Sequence, residues 1–327
     1  MFSRKYPLQR EITIVKMGDK VDVTVVGSCN TDLISYVPRF PVPGETLQGT
    51  KFSMGFGGKG ANQCVMTAKL GAKSAMISKV GKDTFGDGHI KNFKDVGICT
   101  DYVYTTTEAS TGAAPICVNE SGQNSIVIIP GANLLLDEHD LVSAGKVVTG
   151  SKVMLCQLEI NPKITLEALK MGRKHGVQTI LNPAPAIPLD KEFYSYTDVL
   201  CPNESEAELL LGIPVKTVDD AKLAARKLHD VGCRDVIVTL GEMGCVVMEG
   251  NTSNVVHLPA PKVEALDTTG AGDSFIGSLA YFLATRPELG LVESARRAIQ
   301  IASVSVQHAG TQTSYPTKSQ LPAELFS

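Results

Sequence analysis

An aspartate that closes a Gly-rich turn and opens an apolar run offers the clearest chemistry in this 327-residue chain. The segment is Leu266-Asp267-Thr268-Thr269-Gly270-Ala271-Gly272-Asp273-Ser274-Phe275-Ile276, and Leu279, Phe282 and Leu283 continue its helical spacing. A helix starting here gathers several free backbone N–H groups and the positive end of its dipole beside the Asp273 carboxylate. Such a terminus binds an anion, and the carboxylate can take a proton from whatever attacks that anion. Those are the two needs of phosphoryl transfer to an alcohol. Taken alone, the segment also reads as a helix capped by Asp, which is common without any chemistry.

A second Gly-rich segment is Gly55-Phe56-Gly57-Gly58-Lys59-Gly60-Ala61-Asn62-Gln63. It contains a formal G-x-G-x-x-G at Gly55, Gly57 and Gly60, but no β-branched strand leads into it, so the dinucleotide fingerprint is weak. No Gly-Lys-Ser/Thr closes it as a P-loop. The alternative is close backbone approach to a polyol, with Lys59 and Asn62 offering donors. Asn30 and Asp32 follow the first strand-like run, and Glu159 ends the run over residues 153–158. Asn203-Glu204-Ser205-Glu206 opens a helix, where acids suit the dipole and where Asn203 and Glu206 could also orient phosphate and hydrated Mg²⁺. Thr239-Leu240-Gly241-Glu242-Met243-Gly244 reads as a strand–turn–strand, either a plain hairpin or a backbone shelf beside a nucleotide.

The elements that must position these groups alternate regularly. Strand-like runs are predicted over residues 21–27, 74–80, 153–158, 177–181, 198–201 and 235–240. Helical spacing falls over residues 61–70, 165–175, 219–231 and Glu204–Leu211, with Gly71, Gly176, Gly232 and Gly212 as stops. This rhythm predicts an α/β fold, a doubly wound, mostly parallel central sheet flanked by helices. Residues 31–52, with Pro38, Pro41 and Pro43, and residues 112–130, a hairpin pattern, break the rhythm. They are expected to form either a small β-sheet lid over the cleft beyond the strand ends or an edge extension of the main sheet. One kinase domain is expected over residues 21–327, preceded by a flexible tail over residues 1–20.

A net charge of −3 and a pI near 6.1 provide no field for nucleic acid or an anionic membrane. No apolar run approaches the ~18–20 residues of a membrane span. The eight cysteines form no Cys-x-x-Cys pair and most sit in apolar runs, as buried thiols of a reducing compartment do. The six histidines form no His-x-x-x-His pair, which argues against zinc. A cytoplasmic location is expected, with a nuclear pool allowed.

Gly57-Gly58-Lys59-Gly60-Ala61-Asn62-Gln63, Asn182-Pro183-Ala184-Pro185-Ala186, Asn203-x-x-Glu206 and Asp267-Thr-Thr-Gly-Ala-Gly-Asp273 occur in an order that resembles the ribokinase-like family of sugar and nucleoside kinases. The resemblance spans about residues 21–320, and the Gly57–Gln63 segment points within the family to the ribokinases. It implies ATP-dependent transfer to O5 of D-ribose. Asn30, Thr31, Asp32, Gly58, Lys59, Gly60, Ala61, Asn62 and Glu159 would hold the sugar, and Asp273 would be the base beside the anion hole of Gly270, Ala271 and Gly272. Asn203, Thr239, Leu240, Gly241, Glu242, Met243, Gly244 and Gly272 would face ATP, with Asn203 and Glu206 helping to place Mg²⁺. The family's monovalent cation, usually K⁺, would lie at Asp267, Thr269, Ser305, His308, Gly310 and Ser314, mostly on carbonyls. Homodimerisation through the lid sheet is also implied. One departure is Ile299, which stands where many ribokinases carry an adenine-contacting Asn on the penultimate long helix.

Two rivals come from other classes. An NAD(P)-dependent dehydrogenase would use Gly55–Gly60 as its fingerprint, and a non-catalytic sugar sensor would have no use for Asp273. Within kinases, deoxyribose, pseudouridine and fructose are alternative acceptors.

Overall fold

Two β-sheets share the chain. The computed structural model describes residues 20–252 and 254–327, so the tail expected over residues 1–20 lies outside the described residues apart from Lys20. The first half runs β1 (Val23–Val26), β2 (Asn30–Tyr36), β3 (Lys51–Gly57), α1 (Lys59–Lys69), β4 (Ser74–Gly81), α2 (Thr84–Asp95), β5 (Cys99–Thr106), β6 (Gly112–Val118), β7 (Asn124–Ile126), α3 (Glu138–Ser143) and α4 (Gly145–Thr149). The second half runs β8 (Val153–Cys156), α5 (Pro162–Lys174), β9 (Gln178–Leu181), α6 (Lys191–Ser195), β10 (Val199–Leu200), α7 (Glu204–Leu211), α8 (Val218–Asp230), β11 (Asp235–Thr239), β12 (Cys245–Glu249), β13 (Asn254–Leu258), α9 (Ala271–Thr285) and α10 (Gly290–Ser305).

The large sheet has the order β13-β12-β11-β10-β9-β8-β1-β4-β5. Its pairings are parallel from β5 to β11, and only β12 runs against its neighbours. Successive side chains of β1 feed opposite faces: Val23 and Val25 enter the core under α1, α9 and α10, and Val26 enters the core under α5 and α8. Strands buried on both faces explain the continuous β-branched runs in the sequence.

β1 pairs with β4 on one side and β8 on the other, so the winding direction reverses there. Ligands of doubly wound sheets settle beyond the strand ends at such a switch point. The chain leaves β1 at that end to build the small sheet, of order β3-β2-β6-β7. This second sheet is separate from the main one, which resolves the alternative left by the pattern. One expected boundary shifts: β3 continues from Lys51 through Gly57, so Gly55 and Gly57 are strand residues. Gly55 faces Asp32 and Gly57 faces Asn30 across the antiparallel β2 ladder. The short run 51–54 hid this strand because it has few β-branched residues and packs on one face only.

α9 is buried along nearly its whole length, and it packs between α1 and α10. The approach to α1 is close at Gly277, where an added Cβ would lie 2.7 Å from the Gln63 carbonyl oxygen and 2.7 Å from Met66 Cβ. That contact sets the start of α9 beside the start of α1.

Candidate active site

Asp273 is the third residue of α9 and is 8% exposed. Its two carboxylate oxygens are held by neighbouring amides of α1: Asn62 Nδ2 donates to Oδ2 at 3.0 Å and Gln63 Nε2 donates to Oδ1 at 2.9 Å. Gln63 Nε2 also reaches Asn182 Oδ1 at 3.2 Å, and Gln157 Nε2 donates to Gln63 Oε1 at 2.6 Å. Gly270, the N-cap, has a left-handed backbone (φ 75°), and Tyr315 Oη donates to its carbonyl at 3.0 Å. Burial, then the Asp273 and Asp32 charges, pushes the Tyr315 phenol up, so it stays a donor. The helical ladder begins with Ser274 N to Gly270 O at 2.8 Å, so Gly272 and Asp273 supply first-turn N–H groups that precede it. Ala271 departs from the expected anion hole, because its N–H turns back to Thr268 O at 3.2 Å.

On the lid side, Asp32 faces the same cleft. Burial, followed by the charges of Glu159 and Asp273, pushes its carboxyl up to about 6. Glu159 Oε2 accepts from Lys59 N at 2.9 Å and from Ser28 Oγ at 2.5 Å. Burial pulls the Lys59 ammonium down, but Asp273, Glu159 and Glu206 together carry it above its ordinary value. Asn30 Oδ1 accepts from Asn133 Nδ2 at 2.8 Å, which fixes its amide at the base of β2. One cation and three carboxylates thus converge with neutral amides, a constellation suited to vicinal hydroxyls and a transferring anion.

Two side chains of the expected sugar set, those of Thr31 and Ala61, turn away from this cleft. Thr31 alternates to the other face of β2, where Oγ1 lies 3.4 Å from His89 Nε2. Ala61 is fully buried in the core and its N–H donates to Ser28 O at 2.9 Å. The Gly60 N–H is likewise taken, by Ser28 Oγ at 3.3 Å. Gly58 makes the turn from β3 into α1 with φ 89°.

Next to the start of α9 lies a cavity of about 690 Å³. Thr239, Gly241, Glu242, Met243 and Gly244 line one wall, and Thr268, Ala271 and Gly272 line the end nearest Asp273. Leu240 is the exception in the expected shelf: it is 1% exposed and packs into the core below the turn. Asn203 is absent from the lining, although it bridges Thr239 in parallel register. Ile299 does line the cavity, from α10, the last long helix of the chain and not the penultimate one.

Asn203 and Glu206 form a reciprocal capping box on α7: Glu206 N donates to Asn203 Oδ1 at 2.8 Å and Asn203 N donates to Glu206 Oε2 at 2.9 Å. Glu206 Oε1 also accepts from Asn203 Nδ2 at 3.0 Å. Burial raises the Glu206 carboxyl despite these donors. At the other end of the site, Asp267 accepts from Thr269 N at 2.9 Å and from Gly310 N at 2.8 Å, which lowers its carboxyl against the opposing effect of burial. The Ser305 and Ser314 hydroxyls donate to the carbonyls of Ala302 and Thr311, and the His308 side chain is exposed. Any cation here would therefore rest on the Asp267 carboxylate and on main-chain oxygens.

Gln157, Asn133, Gln312 and Tyr315 were missed by sequence reasoning. Each is a single polar residue without a motif, and only its burial marks it. Gln63 stood inside a quoted motif, yet its type gave no sign that it would grip the carboxylate.

Residues 20–318 match the pfkB family carbohydrate kinase description. The chain is 52% identical over 305 residues to the ribokinase of Mus musculus, covering 93% of this chain and 94% of that one. It is 43% identical over 302 residues to the deoxyribokinase of Salmonella typhi, covering 92% and 97%. The structure of Arabidopsis thaliana ribokinase complexed with ribose and ATP superposes with a TM-score of 0.84 at 31% identity, covering 92% of this chain and 97% of that one. The fingerprint of a dehydrogenase also fails on geometry, since Gly55 and Gly57 lie in the small sheet and not in a strand–helix turn of the large one. The chain belongs to the pfkB family of carbohydrate kinases.

Proposed function

We propose that this protein phosphorylates D-ribose at O5 with ATP, giving D-ribose 5-phosphate and ADP. The observation that carries this reading is the position of Asp273, between a cleft of hydroxyl-binding groups and the first-turn amides that border a nucleotide-sized cavity. The likeness to a ribokinase at 52% identity supports ribose over the deoxyribose suggested by the 43% match.

In this mechanism Asn30, Asp32, Asn62 and Glu159 hold the sugar, and Asp273 accepts the O5 proton as O5 bonds to the γ-phosphorus and the bond to ADP breaks. The N–H groups of Gly272 and Asp273 bind the migrating phosphoryl oxygens, and Lys59 balances the carboxylates around them. Gly241, Glu242, Met243 and Gly244 form the shelf for the nucleotide, with apolar Ile299 opposite. Mg²⁺, when bound, neutralises the phosphate oxygens. Because both oxygens of Glu206 already accept hydrogen bonds, Asn203 and Glu206 suit a hydrated Mg²⁺ held through its waters. Asp267 with the carbonyls of Thr269, Ser305, His308, Gly310 and Ser314 suits a monovalent cation such as K⁺. The small sheet would close over the sugar and exclude water.

The same sheet leaves Phe52, Met54, Ile126 and Val127 exposed, and two copies pairing through it would cover them. No helix among the described residues is long and apolar enough to cross a membrane. An ADP-release assay with ribose, deoxyribose, fructose and pseudouridine tests the activity, and light scattering tests the dimer. Ribose failing to raise ADP release above the sugar-free rate, while another acceptor succeeds, would replace the assigned substrate.

A further inference from the structure

Three side-chain amides stand in a row that ends on the Asp273 carboxylate. Asn92 Nδ2 of α2 donates to Gln312 Oε1 at 2.8 Å, Gln312 Nε2 donates to Asn62 Oδ1 at 3.0 Å, and Asn62 Nδ2 donates to Asp273 Oδ2 at 3.0 Å. Every bond points the same way, toward the negative charge. Gln312 is 8% exposed and Asn62 is 6% exposed, so water does not compete freely for these groups. The Gln312 backbone is fixed as well: Lys69 Nζ, at the end of α1, donates to its carbonyl at 2.6 Å and to Tyr315 O at 2.9 Å.

The two ends of an Asn carboxamide are nearly the same size, so packing alone does not choose which end meets Asp273. The choice falls to hydrogen bonding. The Gln312 oxygen is occupied by Asn92, and only its N–H₂ is left to face Asn62. That forces the Asn62 oxygen outward and its N–H₂ onto the carboxylate. With the Asn62 amide reversed, a carbonyl oxygen would confront a carboxylate oxygen at about 3 Å, a repulsive contact in a low-dielectric site.

We propose that Gln312 is a positioning residue for the transfer reaction: it sets the orientation of Asn62 and thereby holds Asp273 aimed at the attacking hydroxyl. The proposal rests on the reading of Asp273 as the base. It gives the segment after α10 a second task, distinct from the main-chain oxygens offered around Asp267. Gln312 touches neither reacting atom, so its effect must pass through Asn62.

The test uses the full-length enzyme with Gln312→Met, which keeps the shape and removes the donor, and Gln312→Glu, which replaces the donor with an acceptor. Gln312→Met is expected to lower kcat about 10-fold and Gln312→Glu about 100-fold, the range of one hydrogen bond to a charged group. KM for ATP should stay within about 2-fold, and the melting temperature of Gln312→Met close to that of the parent. Both substitutions are then placed on Asp273→Asn. Because the base is already gone, the additional loss should fall below about 2-fold, the non-additivity expected of residues acting as a unit. Unchanged kcat in Gln312→Met, or the same loss in both backgrounds, overturns the proposal. If Asp273→Asn alone retains near-normal turnover, the assignment of the base fails instead, and the two failures are told apart.

Discussion

Glu159 caps a helix that it does not belong to. Its Oε2 accepts from the N–H of Lys59, the first residue of α1, at 2.9 Å across 100 residues of sequence. The local N-cap is Gly58, which has no side chain to offer, and the first turn of α1 carries no acid. A carboxylate from the loop after β8 supplies what is missing, favoured by the helix dipole. It also ties the Gly58 turn to the segment that leaves the main sheet after β8.

Glu159→Gln keeps the shape and removes the charge. The expected outcome is a rise of about 10-fold in KM for ribose with a smaller change in kcat, and a stability loss of about 1 kcal/mol from the weaker cap. Steady-state kinetics with a melt checks both. An unchanged KM would confine Glu159 to capping.

Asp273→Asn should lower kcat roughly 10²–10⁴-fold, the usual contribution of a general base, while KM for ATP stays near the parent value. The new amide keeps only one of the two bonds from Asn62 and Gln63, a loss of about 1–3 kcal/mol that a melt measures beside turnover. ADP release at saturating ribose measures the turnover.

Asp32 links pH to both binding and stability. Its folded pKa is raised to about 6 from an ordinary 3.8, so ionising it costs more in the folded protein than in the unfolded chain. Its favourable contribution is therefore complete below about 3.8 and is lost as pH rises through about 6. Asp32→Asn should stabilise the protein at pH 7 by on the order of 1–2 kcal/mol while weakening ribose binding. In the parent, KM for ribose should climb as pH falls below about 6, and the variant should lose that limb. Melts and ribose titrations from pH 5 to 8 separate the two effects.

Gly277→Ala would press a methyl group against the main chain of α1. Overpacking of this kind costs about 1–3 kcal/mol. Because the contact sets where α9 begins, kcat should drop as much as about 10²-fold, more than KM changes, the signature of a displaced base. A variant that is less stable yet fully active would show that the start of α9 adjusts independently.

Activity should rise when K⁺ replaces tetramethylammonium at constant ionic strength, and Asp267→Ala should remove that response. The Asp267 carboxylate joins Thr269 to Gly310, so its loss also frees the loop before α9. Cation titrations of both proteins decide the matter, and equal rates in the two salts would speak against a cation at this end of the site.

Local patterns in the sequence determined the alternation of strands and helices from β8 to β11 and the doubly wound, mostly parallel sheet, and they left the small sheet open between a lid and an edge extension. They also determined Asp273 at a helix start beside a Gly-rich turn. These were legible because periodicity, glycine stops and helix-start chemistry act over a few residues. Tertiary structure decided which polar groups meet: Gln63 and Gln157 across 94 residues, Gln63 and Asp273 across 210, and Gln312 and Asn62 across 250. It also turned Thr31 to the far face of its strand and sank Ala61 and Leu240 into the core, where the resemblance had expected ligand contacts. The reason is physical: a hydrogen bond between distant segments depends on packing distances and side-chain direction, and neither leaves a period or spacing along the chain.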